Sequence, residues 1–210
     1  MNFSSDRDLL IYEPTLFNDV PFVSQQRLSV NDAELSGTTL SSITADFISA
    51  QVETGSVVLV DRRPFEVGQV VDDTTLQVSL LRARTSDPLI PGDDGTGLSL
   101  IVRTFSPQVS LVHDALLRML GIDTPDSGLD EEAVVSLEAM ARLESLGTLE
   151  RIYSSAASLT GNNEGLLYKA GGYRRLFLDA AARHPIQIDV NGDGLPDEKR
   201  YLGLGRLVRN

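Results

Sequence analysis

The sequence predicts an α+β protein: a small antiparallel β-barrel or meander (about 46–105), a three-helix bundle (about 106–184) and an extended C-terminal arm. Three observations support this. Short β-rich segments crowd together before residue 105, the apolar period becomes helical after it, and the last residues mix basic, apolar and glycine residues. The expected division is 1–45 as a mixed segment, 46–105 as a β-rich domain, 106–188 as a helical domain, and 189–210 as a turn and arm.

The first 45 residues carry mixed signals. The stretch RDLLIYEPTLFNDVPF is apolar but contains Pro14 and Pro21, which favours short extended or helical pieces that pack on another part of the chain. The stretch SVNDAELSGTTLSS is rich in turn-forming residues. We therefore expect no long regular element in this segment.

The β-rich region contains four short segments separated by polar turns. The segments are GSVVLV, PFEVGQVV, TTLQVSLL and LSLIVRTF. Strands this short and this close in sequence are typical of an antiparallel meander or a small barrel. The stretch PLIPGDDGTG before the last strand is expected to be an exposed loop.

The helical region begins at a strong start signal, Ser106-Pro107, and its first helix is expected to stop at Gly121. A second helical pattern starts at LDEEAVVS, and Gly147 could interrupt it. The third helix carries one apolar stripe, formed by Leu166, Ala170, Tyr173, Phe177 and Ala181.

The composition excludes several classes of protein. The 210 residues contain no cysteine, which removes disulfides, thiolate metal sites and a cysteine nucleophile. No basic and apolar leader or membrane span is present, so we expect a soluble protein made in the cytoplasm. The net charge of −12 divides into −15 over residues 1–164 and +3 over 165–210. An acidic body favours solubility, or repulsion of a polyanion, over tight nucleic-acid binding.

The sequence predicts that the protein is not an enzyme. It contains only two histidines, His113 and His184, and both stand where a structural role is expected. None of the common hydrolase, metalloprotease, phosphate-loop or dinucleotide motifs occurs.

The stretch DVNGDGLPDEKR resembles the start of a calcium loop. Side-chain oxygens alternate, a glycine follows at the sharp turn, and a backbone carbonyl comes next; the candidate ligands are Asp189, Asn191, Asp193, Leu195 and Asp197. Arg200 stands where an EF-hand has its bidentate glutamate. The same residues also make tight turns without an ion, so a structural Ca²⁺ site and a metal-free turn both remain open.

The C-terminal residues KRYLGLGRLVRN suggest either a final strand on the same domain or an arm that docks on a partner. Two glycines favour an extended arm over a helix. The candidate partner-binding residues are Arg200, Tyr201, Leu202, Leu204, Arg206, Leu207, Val208 and Arg209.

The helical half, with VHDALLRMLGID, EEAVVSLEAMARLESLG, EGLLYKAGGYRRLFLDAAARH and the terminal LGRLVR, resembles the head-to-tail connector (adaptor) proteins of the neck of tailed bacteriophages. The resemblance covers about residues 106–210. It implies a structural virion protein, with about twelve copies closing a ring below the portal around the DNA channel. It also implies that the C-terminal segment inserts into the portal and that a further neck or tail protein binds on the other side.

The β-rich part departs from the small all-helical adaptors. It could be an elaboration, or it could indicate a barrel-based neck component such as a stopper or tail terminator. DNA is expected to pass through the ring without specific binding, because an acidic body holds phosphates weakly. The alternative function is a calcium-dependent binding or surface module that uses DVNGDGLPDE.

Overall fold

The structure is a computed structural model that describes residues 2–21, 25–122, 128–161 and 163–202. The chain forms two compact units. One is Ser5–Ser106, here called the barrel unit; the other, the helical unit, takes residues 2–4 together with the described residues from Pro107 onward.

The barrel unit is a closed antiparallel barrel of six strands in the order β1-β2-β5-β4-β3-β6. Its strands are β1 (Gln25–Ser36), β2 (Thr39–Ser41), β3 (Val57–Val60), β4 (Arg63–Val70), β5 (Thr75–Ser79) and β6 (Gly95–Thr104). Two short helices, α1 (Asp6–Tyr12) and α2 (Leu16–Asp19), precede it. Because the sheet closes on itself, each strand pairs with a neighbouring strand on both sides, and the barrel has no open edge.

The predicted β-rich segments are confirmed as β3 to β6. The β3–β4 hairpin turns at Asp61 and Arg62, which both have positive φ, as a two-residue hairpin turn requires. However, the predicted start of the β-rich region at residue 46 is wrong, because β1 and β2 occupy much of 25–41.

The missed strand β1 is irregular, which explains why its sequence reads as a turn. Its pairing with β6 shifts register between Val30 and Ala33. This bulge accommodates the polar Asn31-Asp32 pair. The Asp32 carboxylate then accepts hydrogen bonds from the Ser42 and Thr44 hydroxyls, at 2.5 and 2.8 Å. Turn-forming residues are thus used inside a strand.

The connection between β2 and β3 closes one end of the barrel. Its buried side chains Ala45, Phe47 and Val52 belong to the same apolar core as the strands. Phe47 N–H donates to the Asp73 carbonyl at 2.7 Å, and Ser42 N–H donates to the Thr74 carbonyl at 3.0 Å. The β2–β3 connection and the β4–β5 turn therefore meet at this end.

The helical unit contains α3 (Ser106–Met119), a 3₁₀ turn (Glu131–Ala133), α4 (Leu137–Leu159), α5 (Glu164–Arg183) and the hairpin β7 (Ile186–Ile188) and β8 (Glu198–Arg200). All three helices and β7 contribute to one apolar core. Gly121, with φ +67°, ends α3 as predicted. The predicted stripe on α5 is confirmed, since each of its five residues is buried or half-buried.

Two expectations for the second helix are wrong. The segment 129–136 does not start it, because Val135 N–H donates to the Gln187 carbonyl and Val134 bridges Ile188. After the 3₁₀ turn at Glu131–Ala133, these bonds hold Val134 and Val135 beside β7. Gly147 does not interrupt α4 either: a Cβ there would lie 3.0 Å from Val112 and 3.5 Å from Phe177. The glycine permits close approach of α3 and α5 to α4.

Candidate functional site

The predicted cation loop is a turn that joins β7 to β8, and Asp189 organises it. The Asp189 carboxylate accepts hydrogen bonds from Gly192 N–H at 2.7 Å and from Gly194 N–H at 2.6 Å. Both glycines have positive φ, the conformation that the turn requires. Hydrogen bonds from the loop amides hold the pKa of Asp189 below its usual value, and the bond from Gly194 N–H contributes most. The carboxylate is therefore ionised.

The other predicted ligands also bond within the loop. Asn191 Oδ1 accepts from Asp193 N–H, and Asp193 Oδ1 accepts from Leu195 N–H. Asp197 Oδ2 accepts from the Val190 and Asn191 amides. The loop is thus a series of turns in which side-chain oxygens bind backbone N–H groups.

The donor set fits a hard cation in chemical type, with three carboxylates, an amide oxygen and the Leu195 carbonyl. A carboxylate oxygen has more than one acceptor site, so each loop hydrogen bond leaves capacity for an ion. In the described part of the chain, however, no three His, Asp or Glu side chains are grouped as metal ligands. The Ca²⁺ site stays a prediction that requires the three aspartates to converge.

The first residues predicted for the arm belong to the helical unit instead. Arg200, the first of the candidate partner-binding residues, belongs to β8 and donates to the Leu120 carbonyl at 2.5 Å and to Glu198 at 2.9 Å. Leu202 lies in the core of the helical unit. These two residues therefore anchor the chain to its own unit, while the Tyr201 side chain is exposed. The remaining candidates, Leu204, Arg206, Leu207, Val208 and Arg209, lie outside the described residues.

His113 is buried in a polar cluster that the sequence did not reveal. Its Nδ1 lies 2.9 Å from a carboxylate oxygen of Glu144, and its Nε2 lies 3.1 Å from Glu131. The other Glu144 oxygen accepts from both the N–H and the hydroxyl of Ser4, each at 2.8 Å. Phe3 packs on the imidazole with ring centroids 4.9 Å apart. His113 thus holds Phe3, and Glu144 holds Ser4, in the helical unit.

The barrel unit holds a second buried charge cluster. Glu66 on β4 has no exposed surface, and its carboxylate forms ion pairs with Arg7 of α1 and Arg82 of the segment after β5. Arg82 also donates to the Thr85 and Asp87 carbonyls, at 3.0 and 2.7 Å. These contacts fasten α1 and residues 82–87 to the barrel wall. The sequence does not predict that Arg7 and Arg82 meet Glu66, because the three residues are far apart along the chain.

One end of the barrel exposes apolar side chains within an acidic rim. Ile43 is 91% exposed and Ile48 62% exposed, and Val71 is also exposed. The two loops that carry these side chains, joined by the Phe47–Asp73 hydrogen bond, also carry the exposed acids Asp46, Asp72 and Asp73. Hydrogen bonds lower the pKa of both the Asp46 and the Asp72 carboxyl. The largest contribution comes from the Ser49 hydroxyl for Asp46 and from the Thr74 N–H for Asp72. We call this patch the barrel-end surface.

The helical unit also has an exposed apolar feature, a groove of about 360 Å³ between α3, α4 and α5. Met119, 55% exposed, and Leu178, 41% exposed, form part of its apolar lining. Glu150, Arg151 and Arg174 complete the lining. Among the described residues, Arg151 and Arg174 form no ion pair within 4 Å. We call this feature the helical groove.

In comparisons with protein-family models, curated proteins and solved structures, nothing matched this chain. Among the residues that the structure describes, no helix has the length and apolar character that crossing a membrane requires.

Proposed function

We propose that the protein is a structural head-to-tail connector of a tailed bacteriophage, which forms a ring below the portal around the DNA channel. The sequence resemblance over about residues 106–210 supports the class of protein. The observation that carries the proposal is the pair of exposed apolar surfaces, one on each unit, both bordered by charge. Exposed apolar patches with polar rims are typical of protein–protein contact sites.

The charge distribution is compatible with a channel protein. The acidic part of the chain, residues 1–164, has a net charge of −15. A duplex that must slide through a ring requires weak phosphate binding, which acidic or neutral walls provide. In this proposal the protein acts in the virion neck without catalysis, and its partners are further copies of itself, the portal and the next neck or tail protein.

The closed barrel is relevant to which layer of the neck the protein forms, an adaptor or a stopper or terminator. Small adaptors of the family that the helical half resembles are helical, whereas stopper and terminator components are barrel-based. This chain has a six-stranded barrel together with three long helices. We propose an adaptor in which α3, α4 and α5 form the bundle and the barrel is an elaboration. The arm that binds the portal then begins beyond Leu202, since Arg200 and Leu202 are anchored to their own unit.

Co-sedimentation with the portal protein tests this function. The full chain and a variant lacking residues 203–210 are each mixed with the portal protein of the same genome. We expect the full chain to co-sediment and to form rings by negative-stain electron microscopy, and the truncated variant to lose portal binding. A full chain that never binds the portal would contradict the connector role.

The alternative, a calcium-dependent module, depends on Asp189 and its neighbours. The ionised carboxylate and the preformed turn favour it. Calorimetric titration with Ca²⁺, on the wild type and on Asp189→Ala with Asp193→Ala, tests the site. Heat and a rise in melting temperature only in the wild type would support a structural ion. Their absence in both proteins would leave a metal-free turn.

A further inference from the structure

The barrel-end surface and the helical groove are complementary in two respects. Each has an apolar centre, formed by Ile43 and Ile48 on the barrel and by Met119 and Leu178 on the helices. The first has a rim of carboxylates, and the second has two arginines without ion pairs among the described residues. Such pairing gives both buried apolar area and electrostatic steering when two surfaces meet.

We propose that the barrel-end surface of one copy docks into the helical groove of the next copy. This inference rests on the proposed ring and names the contact that builds it. The two surfaces lie on different units of one chain, so their union is a heterologous, head-to-tail contact. Repeated contacts of this kind close into a ring when the rotation between copies is a whole fraction of a turn.

The charged groups on both sides support a second copy as the occupant. The barrel end contributes Asp46, Asp72 and Asp73, all exposed. The groove contributes Arg151 and Arg174 against the single carboxylate of Glu150. Two identical barrel ends would repel each other, as would two arginine-lined grooves, so the charges favour the mixed contact over either symmetric one.

Cross-linking between single-cysteine copies tests the contact, since the natural chain has no cysteine. An Ile48→Cys copy is mixed with a Leu178→Cys copy and treated with a short bis-maleimide. The matched control is Ile90→Cys, an exposed isoleucine bonded to Leu80 at the other end of β5. We expect dimers from Ile48→Cys with Leu178→Cys at least about tenfold more abundant than from Ile90→Cys with Leu178→Cys.

Charge reversal with rescue provides the second test. Asp73 and Arg174 suit it, because neither side chain has a hydrogen bond or ion pair among the described residues. Asp73→Lys and Arg174→Glu are each expected to weaken self-association about tenfold or more, measured by analytical ultracentrifugation. In a mixture of the two variants both contacts become attractive, because each copy meets the oppositely charged surface of the other, and self-association should recover. Unchanged melting temperatures confirm that each variant is folded.

The outcomes separate this contact from the connector function. Equal cross-linking at Ile48→Cys and Ile90→Cys, or variants that associate like the wild type, would overturn the contact. A portal-bound ring that survives both reversals would overturn the contact and leave the connector role intact. A contact between the two surfaces within one chain would leave the single-cysteine copies uncross-linked, and would also overturn the proposal. Cross-linked copies that never bind the portal would uphold the contact and count against the connector.

Discussion

Each unit of the molecule buries one glutamate completely, but the two units compensate its charge differently. In the barrel unit, Glu66 lies between the guanidinium groups of Arg7 and Arg82. In the helical unit, Glu144 is held by His113 and by the backbone and hydroxyl of Ser4. The stability of the barrel unit is therefore sensitive to the loss of any one of these three buried charges, whereas the helical cluster depends on hydrogen bonds.

The start of the chain takes part in both buried clusters. Ser4 binds the buried glutamate of one unit, and Arg7 binds that of the other. Between them, the Ser5 hydroxyl and the Asp8 carboxylate form the capping box of α1. A segment that reads as irregular therefore supplies a buried partner to each of the two cores.

The largest effect is expected at the barrel cluster. Glu66→Gln removes the negative charge that two buried guanidinium groups share, so the free energy of unfolding should fall by about 3–5 kcal/mol. Urea denaturation followed by circular dichroism measures the loss. Glu34→Gln, on the exposed side of β1, is the control and should change stability by less than about 0.5 kcal/mol. Equal effects at the two positions would show that Glu66 is not the centre of the cluster.

Asp6 differs from Glu66, because it is a buried carboxyl group without an ion pair among the described residues. Its effect on stability should therefore depend on pH. Burial raises its pKa to about 6, against the hydrogen bond from Phe105 N–H. Between pH 3.8, the pKa of this carboxyl in the unfolded chain, and about pH 6, Asp6 is protonated in the folded state but ionised in the unfolded state. The contribution of Asp6 to stability therefore falls as the pH rises through that window. The fall amounts to about 3 kcal/mol at most.

The measurement compares wild type with Asp6→Asn across that window. Carboxylates with lowered pKa, such as Asp32 and Asp189, act in the opposite direction, and the difference between the two proteins cancels them. We expect the variant to gain stability relative to wild type between pH 4 and 7. Parallel pH profiles of the two proteins would contradict the raised pKa.

The helical cluster should respond less strongly than the barrel cluster. Glu144→Gln keeps the size of the side chain and one acceptor oxygen, but it leaves bonds from Ser4 and His113 weakened, at a cost of about 1.5–3 kcal/mol. Glu138→Gln, exposed on the same helix, is the control. Hydrogen exchange should increase first at residues 2–4 and in α3. A loss larger than that of Glu66→Gln would reverse the ranking of the two units.

The smallest effects separate two kinds of helical glycine. Gly147→Val should destabilise by about 1–3 kcal/mol, because its side chain would meet Val112 and Phe177. Gly171→Ala on α5 has open space within 4 Å and should stabilise by about 0.5–1 kcal/mol. Melting temperatures that shift in the same direction for both variants would refute this distinction.

Much of the local structure can be predicted from the sequence alone. Strands β3 to β6 follow runs of β-branched residues, and the exposed hairpin turn at Asp61-Arg62 interrupts them in the expected way. The start of α3 and the apolar stripe of α5 were also readable, because their signals depend on residues within a few positions. Strand β1 was not, since its bulge places Asn31 and Asp32 inside a strand.

For the candidate sites, the sequence by itself determined the turn at Asp189, where alternating Asp, Asn and Gly residues favour one local geometry. Only the tertiary structure decided that Arg200 and Leu202 belong to the helical unit, that Gly147 is a contact and not a break, and that His113 meets Glu144. The physical reason is distance along the chain. Turns and periods are set by neighbouring residues, whereas buried charge clusters and charged apolar surfaces join residues that only the folded chain brings together.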